Sequence, residues 1–456
     1  MPYATSIACF LAGMFLGSCA TLPSPTRGHF VSDSQRAFPF PVSTRTLPNG
    51  LKAFVVPFDS PGLVAYYSVV RAGSRNEVEP GKSGFAHFFE HMMFRGTARF
   101  PTEKYNAEIK RMGADSNAFT SDDMTVYHLL ANKDALATIV DIESDRFQHL
   151  EYAESEFQKE AKAVLGEYNK GASDPMQSLV EALYNHAFQV HSYKHTTLGF
   201  LRDIENMPNE FAYSRQFFDR YYRPDNVMIL VVGDVVPDQV FPLIDKHYGQ
   251  WKIGPARPPI PIEPPQTQER RVEVKWQDEG LVTLLSGYHV SAFSIATVDS
   301  VSLEILGELL FSDRGRLHQK LVLDEQKVES LDGGGERHVD PNLFHVIVRV
   351  KQGKDLPYVE AAIDAEIVRV AKEGTDEKTL GEIRSHLRYA FASHLSTADN
   401  VALMGAEFLA LTGDMGAIDT YFQRLEQITT GDIKRVAQTY LLPRNRTTAI
   451  LLPEAP

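Results

Sequence analysis

GFAHFFEHMMFRGT, residues 84–97, sets two histidines and a glutamate into a short run that is otherwise mostly phenylalanine, methionine and alanine. Polar side chains on an apolar helical face are costly unless a hydrogen-bond partner or a metal satisfies them. At about 100° per residue, His87, Glu90 and His91 fall at about 0°, 300° and 40° around a helix axis. His87 and His91 therefore stack one turn apart, a spacing at which two imidazoles can share one Zn²⁺, with Glu90 beside the open coordination position. From there Glu90 is placed to take a proton from a water that the metal activates.

Such a centre wants a third protein ligand. The chain has two cysteines, Cys9 and Cys19, both near its start, so the remainder has no disulfide framework, no CxxC motif and no thiolate metal site. The third ligand must come from His, Asp or Glu. FQKEAKAVLGEYNK, residues 157–170, supplies Glu160 and Glu167. Seven residues apart on a helix, they lie within about 20° of each other, and Ala163 and Val164 on the same stripe turn that face inward. Inward carboxylates are penalised without partners, and a metal relieves the penalty. An exposed helix face or an ion pair is the alternative from these residues alone.

At 456 residues the chain exceeds what one hydrophobic core normally serves, which predicts two domains. IGPARPPIPIEPPQTQ, residues 253–268, holds six prolines and reads as a stiff linker. It separates a domain over residues 40–252 from a second over 269–456. In both halves strand-like runs such as LKAFVV, LVAYYSVV, TVYHLL and VMILVVGDV alternate with segments of helical periodicity such as 133–149 and 154–169. The halves also resemble each other. Gly62-Leu63-Val64 precedes Glu90 by the same spacing at which Gly280-Leu281-Val282 precedes Glu308, which sets Ile305 against His87 and Leu309 against His91. A duplication in which the second half keeps the helix and loses both histidines fits this pattern.

A net charge of −13, with 43% hydrophobic and 23% charged residues, suits a soluble globular protein and argues against a nucleic-acid surface, which needs a basic patch. Residues 1–26 stand apart. Ile7 to Gly17 is apolar but about half the ~20 residues a membrane-spanning helix needs, and reads as a secretory signal. Leu16-Gly17-Ser18-Cys19 resembles a bacterial lipobox, which implies lipidation of Cys19, export to the periplasm and an outer-membrane anchor, although no basic residue precedes the apolar run.

The HxxEH pattern inverts HExxH, and inverted motifs of this kind occur among zinc peptidases. HFFEHMMFRGT, with Glu160 and Glu167 downstream, resembles the pitrilysin, insulysin and mitochondrial processing peptidase family, above all its short two-domain bacterial members. The resemblance continues through GADSNAFTSDDMTVYH, ESDRF, LGFLRDIENM and FFDRYYRPDNVMILVVGDV, spanning most of residues 45–250. It implies an α+β fold of two homologous domains, each a mainly antiparallel sheet packed with helices. It further implies Zn²⁺ held by His87, His91 and Glu167, Glu90 as general base, and Glu160 as a carboxylate orienting a ligand. Asn117, Ala118, Phe119 and Thr120 read as a turn on composition alone; the resemblance makes them an edge strand that pairs with substrate.

One departure matters. Active members of the family supply an Arg and a Tyr, seven residues apart, from a domain without zinc. Here those positions fall on Val322 and Glu329, and no Arg-x6-Tyr occurs between Ser312 and Gly335. Val322 has no donor and Glu329 carries the wrong charge to support an oxyanion. The expectation is thus a zinc endopeptidase for peptides or unfolded polypeptides, working as a heterodimer with a homologous subunit that lacks HxxEH and brings Arg and Tyr. A homodimer is the alternative assembly, and a non-catalytic assembly subunit the alternative function.

Overall fold

Runs of β-branched and aromatic residues build the first sheet: β1 (Ser43–Thr46), β2 (Lys52–Pro57), β3 (Leu63–Val70), β4 (Asp115–Thr120), β5 (Thr125–Asn132) and β6 (Val227–Gly233). Their order is β1-β2-β6-β3-β5-β4, parallel between β2 and β6 and antiparallel elsewhere. The second sheet comprises β7 (Arg270–Trp276), β8 (Val282–His289), β9 (Val328–Gly335), β10 (Leu343–Val350) and β11 (Arg446–Pro453), in the order β7-β11-β8-β10-β9. It too has one parallel pair, β7 with β11, among antiparallel ones. The structure, a computed structural model, describes residues 36–453. The readings made on residues 1–26, Cys19 included, lie outside the described residues.

The first half carries α1 (Phe85–Met92), α2 (Thr102–Met112), α3 (Leu136–His149), α4 (Glu154–Gly171), α5 (Pro175–Ala187), α6 (Leu201–Asn206), α7 (Phe211–Tyr221) and α8 (Pro237–Tyr248). The second carries α9 (Asp299–Phe311), the single turn α10 (Arg316–His318), α11 (Leu356–Glu373), α12 (Glu377–His394), α13 (Ala398–Thr412), α14 (Ala417–Gln427) and α15 (Thr430–Tyr440). Strand for strand, β2, β6, β3, β5 and β4 match β7, β11, β8, β10 and β9 in neighbours and direction. α9 follows β8 as α1 follows β3. The duplicated pattern therefore extends to topology, and Ile305 and Leu309 pack into the core where the first half presents histidines.

Each half lends a helix to the other. α5 begins cleanly, with Asp174 accepting the Met176 N–H at 2.9 Å and Pro175 in the first helical position. Its Leu179, Leu183 and Ala187 bury against Leu285, Ala449 and Leu451 of the second sheet. α13, capped by Thr397 and ended by the left-handed Gly413, lies on the first sheet in return. Tyr67 donates to Asp399 Oδ1 at 2.8 Å and Arg71 Nε to the Ala410 carbonyl at 2.8 Å. Both faces of the first sheet are thereby covered, which explains why β3 and β6 read as continuous apolar runs rather than alternating ones.

Between α8 and β7 the proline-rich stretch has neither helix nor strand. Glu263 pins it to the first half, accepting the Gln189, Val190 and His191 N–H groups at 2.7, 2.9 and 3.0 Å.

Candidate metal centre

α1 is held at its start and again in its second half. It has no side-chain cap of its own. Instead the buried Glu77 carboxylate accepts the N–H groups of Gly84 and Ala86 at 2.7 and 2.6 Å, doing the work of an N-cap. Burial pushes this carboxyl up to about 8, against the pull of the two N–H groups. Gly84 sits at φ 91°, and a Cβ there would stand 2.7 Å from the Leu198 carbonyl oxygen, so the entering turn requires glycine. Beyond the middle of the helix, Tyr127 of β5 donates to the Phe89 carbonyl at 2.9 Å. Phe85, Phe88, Phe89 and Met92 sink into the core, which leaves His87, Glu90 and His91 partly exposed.

α4 packs alongside, with Phe88 meeting Phe157 edge to face at 5.0 Å between centroids. Its inward stripe is Phe157, Glu160, Ala161, Val164 and Tyr168. Ala163, assigned to that stripe by spacing, is exposed, because the helix is rotated to carry Ala161 inward. The two carboxylates separate by depth. Glu160 is 4% exposed and Glu167 33% exposed at the side chain.

Glu167 Oε2 lies 3.5 Å from His87 Nε2 and 3.4 Å from His91 Nε2 and has no hydrogen-bond partner among the described residues. The three residues can bring ligand atoms within 4.8 Å of one another. Tetrahedral zinc with bonds of about 2.0–2.2 Å separates its ligand atoms by about 3.3–3.6 Å, so the two His–Glu spacings fit the ion. Among the described residues no other His, Cys, Asp and Glu side chains form such a group.

Glu160 serves differently. Its Oε1 accepts a hydrogen bond from His91 Nδ1 at 3.0 Å, which fixes the ring and leaves Nε2 turned to Glu167. Oε2 accepts Arg95 Nε at 2.7 Å and is also paired with Arg95 Nη2. Burial alone would raise the Glu160 carboxyl; His91 and Arg95 outweigh it and hold it below the usual carboxylate range. Burial, aided by neighbouring His91, depresses His87 to about 4, keeping it neutral with the lone pair of one ring nitrogen free. Burial also opposes a proton on His91, but Glu160 and Glu167 dominate and raise it to about 10. A cation entering here displaces that proton.

Glu90 completes the group. Burial raises its carboxyl above the ordinary range, against hydrogen bonds from Thr120. Thr120 ends β4, and β4 is the outermost strand of its sheet. Asn117 to Thr120 thus form an edge strand, paired among the described residues only to β5, not the turn that composition alone indicates. Cross-strand pairing to the β-rich TVYHLLAN of β5 overrides the weak strand preference of Asn, Ser and Asp. Val322 falls in a π turn over Gln319–Asp324 and Glu329 in β9, ion-paired to Arg349 at 2.8 Å.

Sequence reasoning passed over Arg95 and Glu77. Arg95 stands one turn beyond His91 in the same motif, a signal that was available; Glu77 has none, since its role depends on a loop closing over α1. For the Glu160 support we expect Glu160→Gln to weaken zinc binding by about 10–100-fold without unfolding the chain. Competition with a chromophoric chelator, alongside a thermal melt, measures both.

Residues 64–199 match the family described as insulinase, peptidase family M16, and residues 213–387 match the one described as peptidase M16 inactive domain. The chain belongs to the M16 peptidase family. Among its M16 relatives, the zinc protease PqqE of Helicobacter pylori is 28% identical over 414 residues, covering 90% of this chain and 92% of that protein. The mitochondrial-processing peptidase subunit beta of Dictyostelium discoideum is 25% identical over 413 residues, covering 87% and 85%. A solved protease from Helicobacter pylori superposes with a TM-score of 0.83 at 29% identity, over 91% of this chain and 100% of that one. The periplasmic protease PqqL of Escherichia coli shares the fold, with a TM-score of 0.73 at 19% identity over 90% of this chain and 47% of that one.

Proposed function

We propose that this M16 chain is a zinc-dependent endopeptidase acting on peptides or unfolded polypeptides. The observation that carries the reading is the convergence of His87, His91 and Glu167 at zinc-ligand spacing, beside a helix that bears Glu90 and packs against the sheet's edge strand β4. His87, His91 and Glu167 would hold Zn²⁺, which when bound supplies a Lewis acid that polarises the scissile carbonyl and acidifies water. Glu90, its basicity raised by burial, takes a proton as general base and returns it to the leaving amine. Glu160 and Arg95 keep His91 in the tautomer that offers Nε2. Asn117, Ala118, Phe119 and Thr120 would pair with an extended peptide as an added strand.

The second half offers no Arg and Tyr at Val322 and Glu329, so we assign those groups to a homologous subunit lacking HxxEH. A relative named as a subunit of a peptidase supports an assembly of this kind. With internally quenched peptides we expect the zinc-loaded chain alone to be silent and to cleave once the Arg- and Tyr-bearing homologue is added. Chelator-sensitive cleavage by the chain alone assigns the activity to a homodimer and overturns the missing-partner argument. The description of the second half as an inactive domain supports the other reading, a non-catalytic assembly subunit. Glu90 beside three converging ligands favours catalysis.

Export to the periplasm and an outer-membrane anchor rest on residues 1–26. Mass analysis of the mature protein is expected to find a diacylated Cys19 at its N-terminus; a free Met1 contradicts both.

A further inference from the structure

The β4–β5 turn, Ser121 to Met124, is gripped from both domains. From its own side, Gly73 runs so close that a Cβ would stand 2.2 Å from the Ser121 carbonyl oxygen. The Arg75 N–H donates to the Asp122 carbonyl and Ser74 Oγ to Asp122 Oδ1, both at 2.8 Å. From the second domain comes His338, just past the end of β9 and 7% exposed. Its Nδ1 donates to Asp123 Oδ2 at 3.1 Å, the same oxygen that accepts the Val339 N–H at 3.1 Å. Asp123 Oδ1 accepts the Tyr193 hydroxyl at 2.6 Å, and Tyr193 packs edge-on to the His338 ring at 5.3 Å between centroids. The ring of contacts closes through Asp340, whose Oδ2 accepts Arg75 Nε at 2.5 Å and His191 Nε2 at 3.0 Å. The Phe293 N–H, at 2.9 Å from the His338 carbonyl, ties the histidine back into its own domain.

Domain adhesion alone does not require this placement. Asp122 and Asp123 follow Thr120 directly after Ser121, and β4, which Thr120 ends, packs against α1, the helix that carries Glu90. The buried polar ring therefore anchors the end of a strand that packs against the helix of the candidate general base. β4 has a strand on one side only, so its last residues depend on the turn for their position. A buried, charge-assisted hydrogen bond is short and directional, suited to fixing a strand end rather than merely burying area.

We infer that His338, in the domain without metal ligands, is a positioning residue for the peptidase centre: by closing on Asp123 it fixes the β4–β5 turn, and with it the edge on which substrate pairs beside Glu90. This rests on the peptidase reading above for its consequence in turnover, but not for the structural link. The metal-free half thus has a task in catalysis even though it contributes no ligand.

The test compares the full zinc-loaded chain with His338→Leu, which keeps bulk and removes the donor, and His338→Asn, whose amide nitrogen can occupy the place of Nδ1. Peptide-resolved hydrogen exchange is followed over residues 115–124 and over β2 and β6 as internal controls, with zinc content and, in the cleaving assembly, KM and kcat. His338→Leu is expected to speed exchange over 115–124 by about tenfold or more, leave β2, β6 and zinc content unchanged, and raise KM more than it lowers kcat. His338→Asn is expected to restore most of this. Unchanged exchange over 115–124, loosening spread evenly over both sheets, or Asn no better than Leu each overturns the inference. Should His338→Leu not fold, Tyr193→Phe, which removes the hydroxyl that donates to Asp123 and accepts the Asp340 N–H, is read by the same exchange criterion. Exchange needs no substrate, so a wild-type chain that cleaves nothing in any assembly sinks the peptidase reading while the exchange comparison still decides the link.

Discussion

Glu90→Gln is expected to leave zinc bound at one ion per chain and to lower peptide turnover by about 10²–10⁴-fold, the usual contribution of a positioned general base. The amide matches the carboxylate in size, so the packing of α1 on β4 is kept. What is lost is basicity. Glu90 is not among the converging ligand atoms, which are those of His87, His91 and Glu167, and this separation of roles is what the variant examines. Metal analysis and the initial rate on a quenched peptide, measured on one preparation of the cleaving assembly, give both quantities. Turnover persisting near the wild-type rate removes Glu90 from the mechanism; loss of zinc together with turnover makes it a ligand instead.

Glu167→Gln is expected to act the other way round, abolishing activity by emptying the site. The substitution takes the anionic ligand from a set that otherwise consists of two neutral imidazoles, and we expect zinc affinity to fall by more than the about 100-fold upper range for a supporting residue. The fold should survive, because α4 is anchored by Phe157, Ala161, Val164 and Tyr168 rather than by Glu167. Zinc at 100 times its dissociation constant raises stability by about 2.7 kcal/mol, so a zinc-dependent rise in melting temperature should be present in the wild type and absent in the variant. A variant that keeps stoichiometric zinc through dialysis returns the choice of third ligand to Glu160.

The candidate site was legible in the sequence to the extent that it depends on local spacing. His87, Glu90 and His91 lie within one turn and a half of helix, and helical geometry alone stacks the imidazoles. The choice between Glu160 and Glu167 was not legible from spacing, since seven residues return to nearly the same face. In the structure the two differ in depth, with Glu160 drawn under by Arg95 and Glu167 left near the rim. Strand runs such as LVAYYSVV and VMILVVG were readable because burial on both faces leaves them uniformly apolar. Which helix covers which sheet was not: the apolar stripes of α5 and α13 say that each packs, not that each crosses to the other half. The contact of His338 with Asp123 spans 215 residues, and nothing local announces it. Composition misjudged Asn117 to Thr120 because strand pairing is a property of the partner, β5, as much as of the strand itself.

Anomalous diffraction at the zinc edge, from crystals of the metal-saturated chain, tests the centre most directly and needs no partner subunit. One peak per chain is expected, within bonding distance of His87, His91 and Glu167, with Glu160 behind His91 and Glu90 alongside but unbound. No zinc at saturation, or a peak held by any other set of side chains, contradicts it.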